Sequence, residues 1–158
     1  MSEVLYVIGD GGFGDARGFL ACLALGAEGV LMGTRFMLTK ECTLHREYKK
    51  ALLEAQETST VLIQRSLNNP SRVLRNKLAD EILDMEKRGT TLEELLPFIR
   101  GDRALEARAR GDIDHGIIHC GQVIGLIDDE PTVKEVVDSI INGAREIQKR
   151  LEATYNPM

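Results

Sequence analysis

Residues 6–36 predict an α/β fold whose central element is a parallel βαβ unit, and three observations carry that expectation. Two short apolar runs, Val7-Ile8 and Val30-Leu31-Met32, are each closed by glycines, Gly9-Asp10-Gly11-Gly12 after the first and Gly33-Thr34 after the second. Between them Asp15 is an N-cap residue type, and Leu20, Leu23, Ala24 and Ala27 recur at the spacing of one helix face. Gly26 stands where a helix C-cap glycine belongs. A strand–helix–strand crossover of this kind is right-handed and makes its two strands parallel neighbours, so both glycine turns fall on one edge of the sheet.

That placement has a chemical consequence. Main-chain N–H groups at two adjacent glycine turns point outward with no side chain in the way, and a following helix adds positive potential. The pair makes a cup for a phosphate group, with Gly11, Gly12, Met32, Gly33 and Thr34 as candidate residues. Glycines also serve simply to make tight turns, and at this level both readings stand. Asp10 is unfavourable beside a phosphate unless its carboxylate points away. Asp15 is expected to cap the helix, and Arg17 to form a surface or loop-bracing ion pair.

The first strand is expected to begin almost at Met1. After Phe36, the spacing of Leu44, Tyr48, Leu52 and Ala55 predicts a helix over about 43–56, with His45 a surface residue on or beside it. Residues 60–64 (TVLIQ) are β-branched and read as a short strand outside the main sheet. Asn68-Asn69-Pro70-Ser71 is a turn. From 71 to 110 the pattern is helical and charged. Arg72, Arg75 and Lys77, followed by Asp80, Glu81, Asp84 and Glu86, read as a solvated face with local ion pairs. Thr91 and Glu94 form a capping-box pattern. Pro131 suits a first helical turn, Thr132 and Glu135 suggest a second capping box, and the apolar face from Val133 to Leu151 predicts the strongest helix of the chain, interrupted by Gly143.

Residues 111–127 are the second candidate region. His115 and His119 are four apart with Cys120 adjacent, so a helix there would set both imidazoles on one face. Two histidines leave a zinc site incomplete, and there is no Cys-x-x-Cys, so no metal is expected. His119 as an acid or base is the alternative. The Gln122 amide is placed either to hydrogen-bond a ligand edge or substrate oxygen, or to cap a backbone turn beneath the site.

Composition narrows the partners. With 158 residues the chain suits one domain or part of one, and 43% hydrophobic content suffices for a core. The absence of tryptophan, 4% aromatics and a net charge of −5 argue against nucleic acid and anionic membranes. No apolar run approaches the roughly 20 residues of a membrane span, and no signal peptide is evident. Cys22, Cys42 and Cys120 fit reduced thiols in a cytoplasm.

The segment GDGGFGDARGFLACLALGAEGVLMGTRF resembles the late-barrel part of the nitronate monooxygenase (2-nitropropane dioxygenase) family of flavin oxidoreductases, which is related to the flavin-dependent enoyl-acyl-carrier-protein reductases. Gly11, Gly12, Asp15, Arg17 and Gly18 match the family's GG-x-x-D-x-R-G turn, and Met32 to Phe36 match its M-G-T-R-F strand end. GDIDHGIIHCGQVIGLI at 111–127 resembles the G-D-x-x-G-x-x-x-x-G-Q segment. The resemblance implies the last two parallel strands of a TIM (β/α)8 barrel with a helical C-terminal extension. It also implies FMN as cofactor, its phosphate held by the two glycine turns, and a nitronate-like small-molecule substrate. The stretch matched by Arg72 to Asn76 would brace the extension.

On that reading residues 1–56 form the phosphate-binding βαβα end of a barrel, and 57–158 a mostly helical extension packed on it as one structural unit. A complete barrel takes about 250 residues, and the family's histidine-bearing E-A-G-G-H-x-G stretch does not occur in this sequence. The expectation is therefore a partial chain lacking the catalytic histidine: a truncated product, one piece of a split enzyme completed by an N-terminal chain, or a rearranged small α/β protein. A non-catalytic, homo-oligomerising remnant is the alternative of a different class.

Overall fold

The computed structural model describes residues 6–155. Strand β1 (Ile8–Asp10), helix α1 (Ala16–Ala24) and strand β2 (Gly29–Leu31) form the βαβ unit that the glycine and leucine spacing predicts. The strands are parallel, with Ile8 opposite Gly29, Gly9 opposite Val30 and Asp10 opposite Leu31. Asp15 caps α1 through its side chain, which accepts from the Gly18 N–H at 2.9 Å, and Arg17 pairs with the same carboxylate at 2.6 Å. Gly26 follows the helix in a left-handed conformation. The part of the first strand expected near Met1 falls at residues 1–5, outside the described residues.

Beyond β2 the chain turns through a short helix α2 (Thr34–Met37) and then α3 (Arg46–Leu53), which lies inside the expected 43–56 span. His45 caps α3, its ring nitrogen accepting from the Glu47 N–H at 3.2 Å. Strand β3 (Thr60–Ile63) forms where the β-branched run predicts it, outside the first sheet.

Its partner corrects the reading of 71–110 as helical throughout. Ser71–Leu74 is strand β4, antiparallel to β3. The charged pattern of that region belongs to the helices that follow, whereas Val73 and Leu74 are buried between them and the rest of the molecule. Helices α4 (Lys77–Lys87), α5 (Leu92–Ile99) and α6 (Gly101–Arg110) complete the span. Asn76 braces it as expected: its oxygen caps α4 at Ala79 N–H, 2.8 Å, and its amide donates to the Ile113 and Gly116 carbonyls at 2.6 and 2.7 Å. Thr91 and Glu94 form a reciprocal capping box on α5.

The chain closes with α7 (Val133–Tyr155), whose start is fixed by the Thr132–Glu135 capping box. Pro131 precedes that helix rather than entering its first turn. Gly143, which read as a mere weakness in α7, marks the place where α7 lies against α1: a Cβ there would sit 2.7 Å from the Ala16 Cβ. Two apolar clusters hold these parts together. One joins Leu38, Tyr48 and Leu52 to Leu74, Ile118, Val123 and Ile124; the other places Ile63 and Val73 under Leu78, Ile82 and Leu95.

Candidate functional site

The parallel register of β1 and β2 sets the two glycine turns at the same edge. Both line one cavity of about 530 Å³, whose wall contains Gly11, Gly12, Met32, Gly33 and Thr34. The five residues singled out from the two turns are therefore gathered at one place.

Their parts differ. Gly11 and Gly12 have φ of +76° and +80°, a region that costs an L side chain energy, so here glycine is required by the turn itself. The Gly11 N–H is committed to the sheet, donating to the Leu31 carbonyl at 3.3 Å. Among the described residues, the N–H groups of Gly12, Gly33 and Thr34 have no protein acceptor. Gly33 has φ −90°, ψ −63°, a conformation open to any residue, and a Cβ there would meet nothing within 4 Å. What glycine supplies at 33 is clearance rather than conformation.

Thr34 is buried, and its Oγ1 accepts from the Gly121 N–H at 2.9 Å. With that acceptor position filled, the hydroxyl proton is free to donate. Three acceptor-free amides and one oriented hydroxyl around a cavity are a donor set suited to phosphate oxygens. Asp10 also lines the cavity. Its carboxylate opposes an anion there, and an opposing positive group is needed to offset it.

The opposite wall comes from residues that sequence spacing did not connect with the turns: Arg72, His119, Cys120, Gly121 and Val123. The 111–127 region is not the helix that the His115–His119 spacing suggested. Residues 118–120 run beside β4 instead, with Val73 bridged antiparallel to His119, Leu74 N–H donating to Ile118 O at 2.8 Å and Cys120 N–H to Arg72 O at 3.3 Å. This separates the two imidazoles. His115 stays with Asp112, 2.9 Å from its carboxylate, while the His119 Nδ1 lies 2.9 Å from Ser71 Oγ. Among the described residues no group of three or more His, Cys, Asp or Glu gathers in metal-binding proximity.

Partial desolvation of the His119 ring lowers its pKa, with the Arg108 cation adding to the effect, which favours the neutral form. Burial pushes the Cys120 thiol up to about 11 despite the nearby Arg72 cation, which makes it an inert, protonated wall residue. Gln122 is exposed at the start of a 3₁₀ turn (Gln122–Leu126) and does not line this cavity; its neighbour Gly121 does.

Two buried cations fix the frame. The Arg35 guanidinium donates to the Asp129 carboxylate at 2.6 Å and to the Leu38 and Asp129 carbonyls at 2.9 Å, leaving its Nε without a partner among the described residues. Lys49 donates to Thr39 O at 2.7 Å and to Glu130 at 2.6 Å. Together they tie residues 129–130, just ahead of α7, to the turn that carries Gly33 and Thr34. The arginine of the M-G-T-R-F match is thus an internal clamp and does not line the cavity of the glycine turns.

The family model described as "Nitronate monooxygenase" matches residues 3–143. A curated relative from Mycobacterium tuberculosis, (3aS,4S,5R,7aS)-5-hydroxy-7a-methyl-1-oxo-octahydro-1H-indene-4-carboxyl-CoA dehydrogenase, is 31% identical over 85% of this chain and 48% of its own length. A nitronate monooxygenase from Neurospora crassa is 26% identical over 93% of this chain and 40% of its own. The structure of FabK from Thermotoga maritima superposes with a TM-score of 0.86 at 35% identity, covering 96% of this chain and 48% of that one. The chain thus spans about half the length, or less, of the proteins it matches. Both sequence segments that carry the resemblance lie within the matched residues. The chain belongs to the nitronate monooxygenase family and is related to the flavin-dependent enoyl-acyl-carrier-protein reductases.

Proposed function

We propose that this chain supplies the phosphate-binding end of an FMN-dependent oxidoreductase of the nitronate monooxygenase type, acting on nitronate-like small molecules. The observation that carries the proposal is the convergence of the two glycine turns on one cavity, with the Gly12, Gly33 and Thr34 amides lacking acceptors. When bound, the flavin supplies the redox chemistry; the protein's contribution is orientation and electrostatics. In this reading the three amides and the Thr34 hydroxyl grip the phosphate, Gly11 shapes the turn, Met32 packs at the cavity wall, and Gln122 is a peripheral helper. The related reading, a flavin-dependent enoyl-thioester reductase, draws support from the 0.86 superposition on FabK.

The barrel assignment belongs to the same proposal. Residues 1–56 are the last two strands of a (β/α)8 barrel, and 57–158 pack on them as one unit. The sheet of β1 and β2 has two strands only, and Val7, Ile8 and Leu31 are more than half exposed. Such an edge accepts further strands, so we place an N-terminal complementing chain or a second copy of this chain there. No helix among the described residues is long and apolar enough to cross a membrane, and a cytoplasmic location completes the proposal.

The test is direct. Purified protein should be yellow, or should quench FMN fluorescence to a one-to-one end point. A colourless protein indifferent to added FMN favours the non-catalytic oligomeric remnant.

A further inference from the structure

The cavity has two walls of different chemistry. The glycine-turn wall offers neutral amides and the Asp10 carboxylate and carries no cation. A phosphate dianion set against it would gain hydrogen bonds yet face a like charge. The second wall holds the single arginine or lysine among the lining residues, Arg72.

Arg72 is built into place. Its strand position lies opposite Leu62 of β3, and its carbonyl accepts from Cys120 N–H. Its Nη1 donates to Thr60 Oγ1 at 3.0 Å, and Thr60 is buried. The other cations of the same basic cluster are used locally: Arg75 pairs with Asp80 at 2.8 Å and Lys77 with Asp114. Among the described residues Arg72 has no carboxylate partner, and only one of its guanidinium donors is engaged. Its field reaches the cavity wall, since it acts on the neighbouring Cys120 thiol. His119 is the other titratable base there, and its lowered pKa favours the uncharged ring.

We propose that Arg72 is the counter-cation of the phosphate that the glycine turns bind, and that it sets the preference for a phosphorylated flavin over the same flavin without phosphate. The inference rests on the FMN reading of the cavity and adds to it the residue that supplies charge. Guanidinium suits the task because it stays protonated and its fork matches phosphate oxygens. Thr60 is the positioning residue, holding one edge of the guanidinium so that the remaining donors face the cavity.

The experiment compares dissociation constants for FMN and riboflavin by flavin fluorescence on the full chain and on Arg72→Gln, Arg72→Lys and Thr60→Val. Arg72→Gln should weaken FMN binding by about tenfold or more and leave riboflavin unchanged, the size expected for losing one charge-assisted contact. Arg72→Lys should retain part of the preference, and Thr60→Val should fall between wild type and Arg72→Gln. In the unmodified protein the FMN constant should rise with added salt while the riboflavin constant stays flat; this arm does not depend on any variant folding.

An Arg72→Gln protein with the wild-type FMN-to-riboflavin ratio, or with equal losses for both, overturns the assignment of Arg72 and leaves the amide cup intact. Wild-type protein that binds neither flavin overturns the cup itself, and Arg72 with it.

Discussion

The two sheets of this molecule are built from similar strands and treated in opposite ways. In the second, β3 and β4 are covered: Ile63, Val73 and Leu74 are buried under helices α4 and α5 and the 118–120 segment. In the first, β1 and β2 have α1 on one side and leave Ile8 and Leu31 54% and 58% exposed. The closed sheet is a scaffold, stabilised by its own burial. The open one carries the turns that line the cavity, and its apolar residues stay exposed. The comparison teaches that the site depends on the covered sheet for its second wall: Arg72 comes from β4 and His119 from the segment bridged to it.

The comparison breaks most sharply at Gly12. Gly12→Asp places a carboxylate at the wall of the cavity proposed for the phosphate, at a positive φ that aspartate accepts more readily than most residues, so the charge should lower FMN affinity at least about a hundredfold. Gly33→Ala, by contrast, should fold with wild-type stability, because its backbone angles are ordinary and the space is open. Isothermal titration and a thermal melt on the two variants separate charge from shape.

Next in size is the clamp that joins the open sheet's turn to α7. Arg35→Ala removes a buried guanidinium with three acceptors, and should cost on the order of 3 kcal/mol, read as a lower denaturant midpoint. A loss under about 0.5 kcal/mol, the range of ordinary surface substitutions, would show the clamp to be incidental.

Gly143 sharpens the contact that supports α1. An isolated helix would gain about 1 kcal/mol from Gly143→Ala. Here the added methyl would stand 2.7 Å from Ala16 Cβ, so the variant should be destabilised instead. Ala16→Gly in the same chain should restore part of the loss, a double-mutant cycle whose coupling a loosely packed α1–α7 contact would not show.

Narrowest in reach is a pH dependence at the covered wall, confined to alkaline pH. The folded-state pKa of Cys120 lies above its ordinary 9.0, at about 11, so between these values the folded protein holds a proton that the unfolded chain releases. Stability from this group is complete below pH 9 and is lost as pH rises toward 11, by roughly 2–3 kcal/mol. Cys120→Ala removes this titration, so the wild-type minus variant stability difference should fall across that window while the variant alone lacks that fall. Iodoacetamide at pH 8 should leave Cys120 of the native protein unmodified, and rapid labelling there would contradict a buried thiol.

Much of the open sheet was legible in the chain because its signals are local. The Asp15 cap, the Gly26 helix end and the Gly11-Gly12 turn each sit within a few residues of what they determine. The strand at Ser71–Leu74 was not, because its charged neighbours belong to the pattern of α4 and a four-residue strand leaves little periodicity of its own. For the same reason Arg72 read as one of three surface cations. Its place on the cavity wall follows from pairing with β3 and with Cys120, both long-range. Likewise the four-residue interval of His115 and His119 suggested a helix, but Gly116 and the bridge to Val73 make that stretch extended and separate the rings.

The most direct test follows the amide resonances of Gly12, Gly33 and Thr34 in ¹⁵N-labelled protein as FMN is added, with riboflavin as the reference. If one dianion sits between the two turns, all three amides shift together, saturate at one equivalent and respond far less to riboflavin. Shifts confined to one turn, or equal shifts with both flavins, would show that the two turns do not form a single phosphate site.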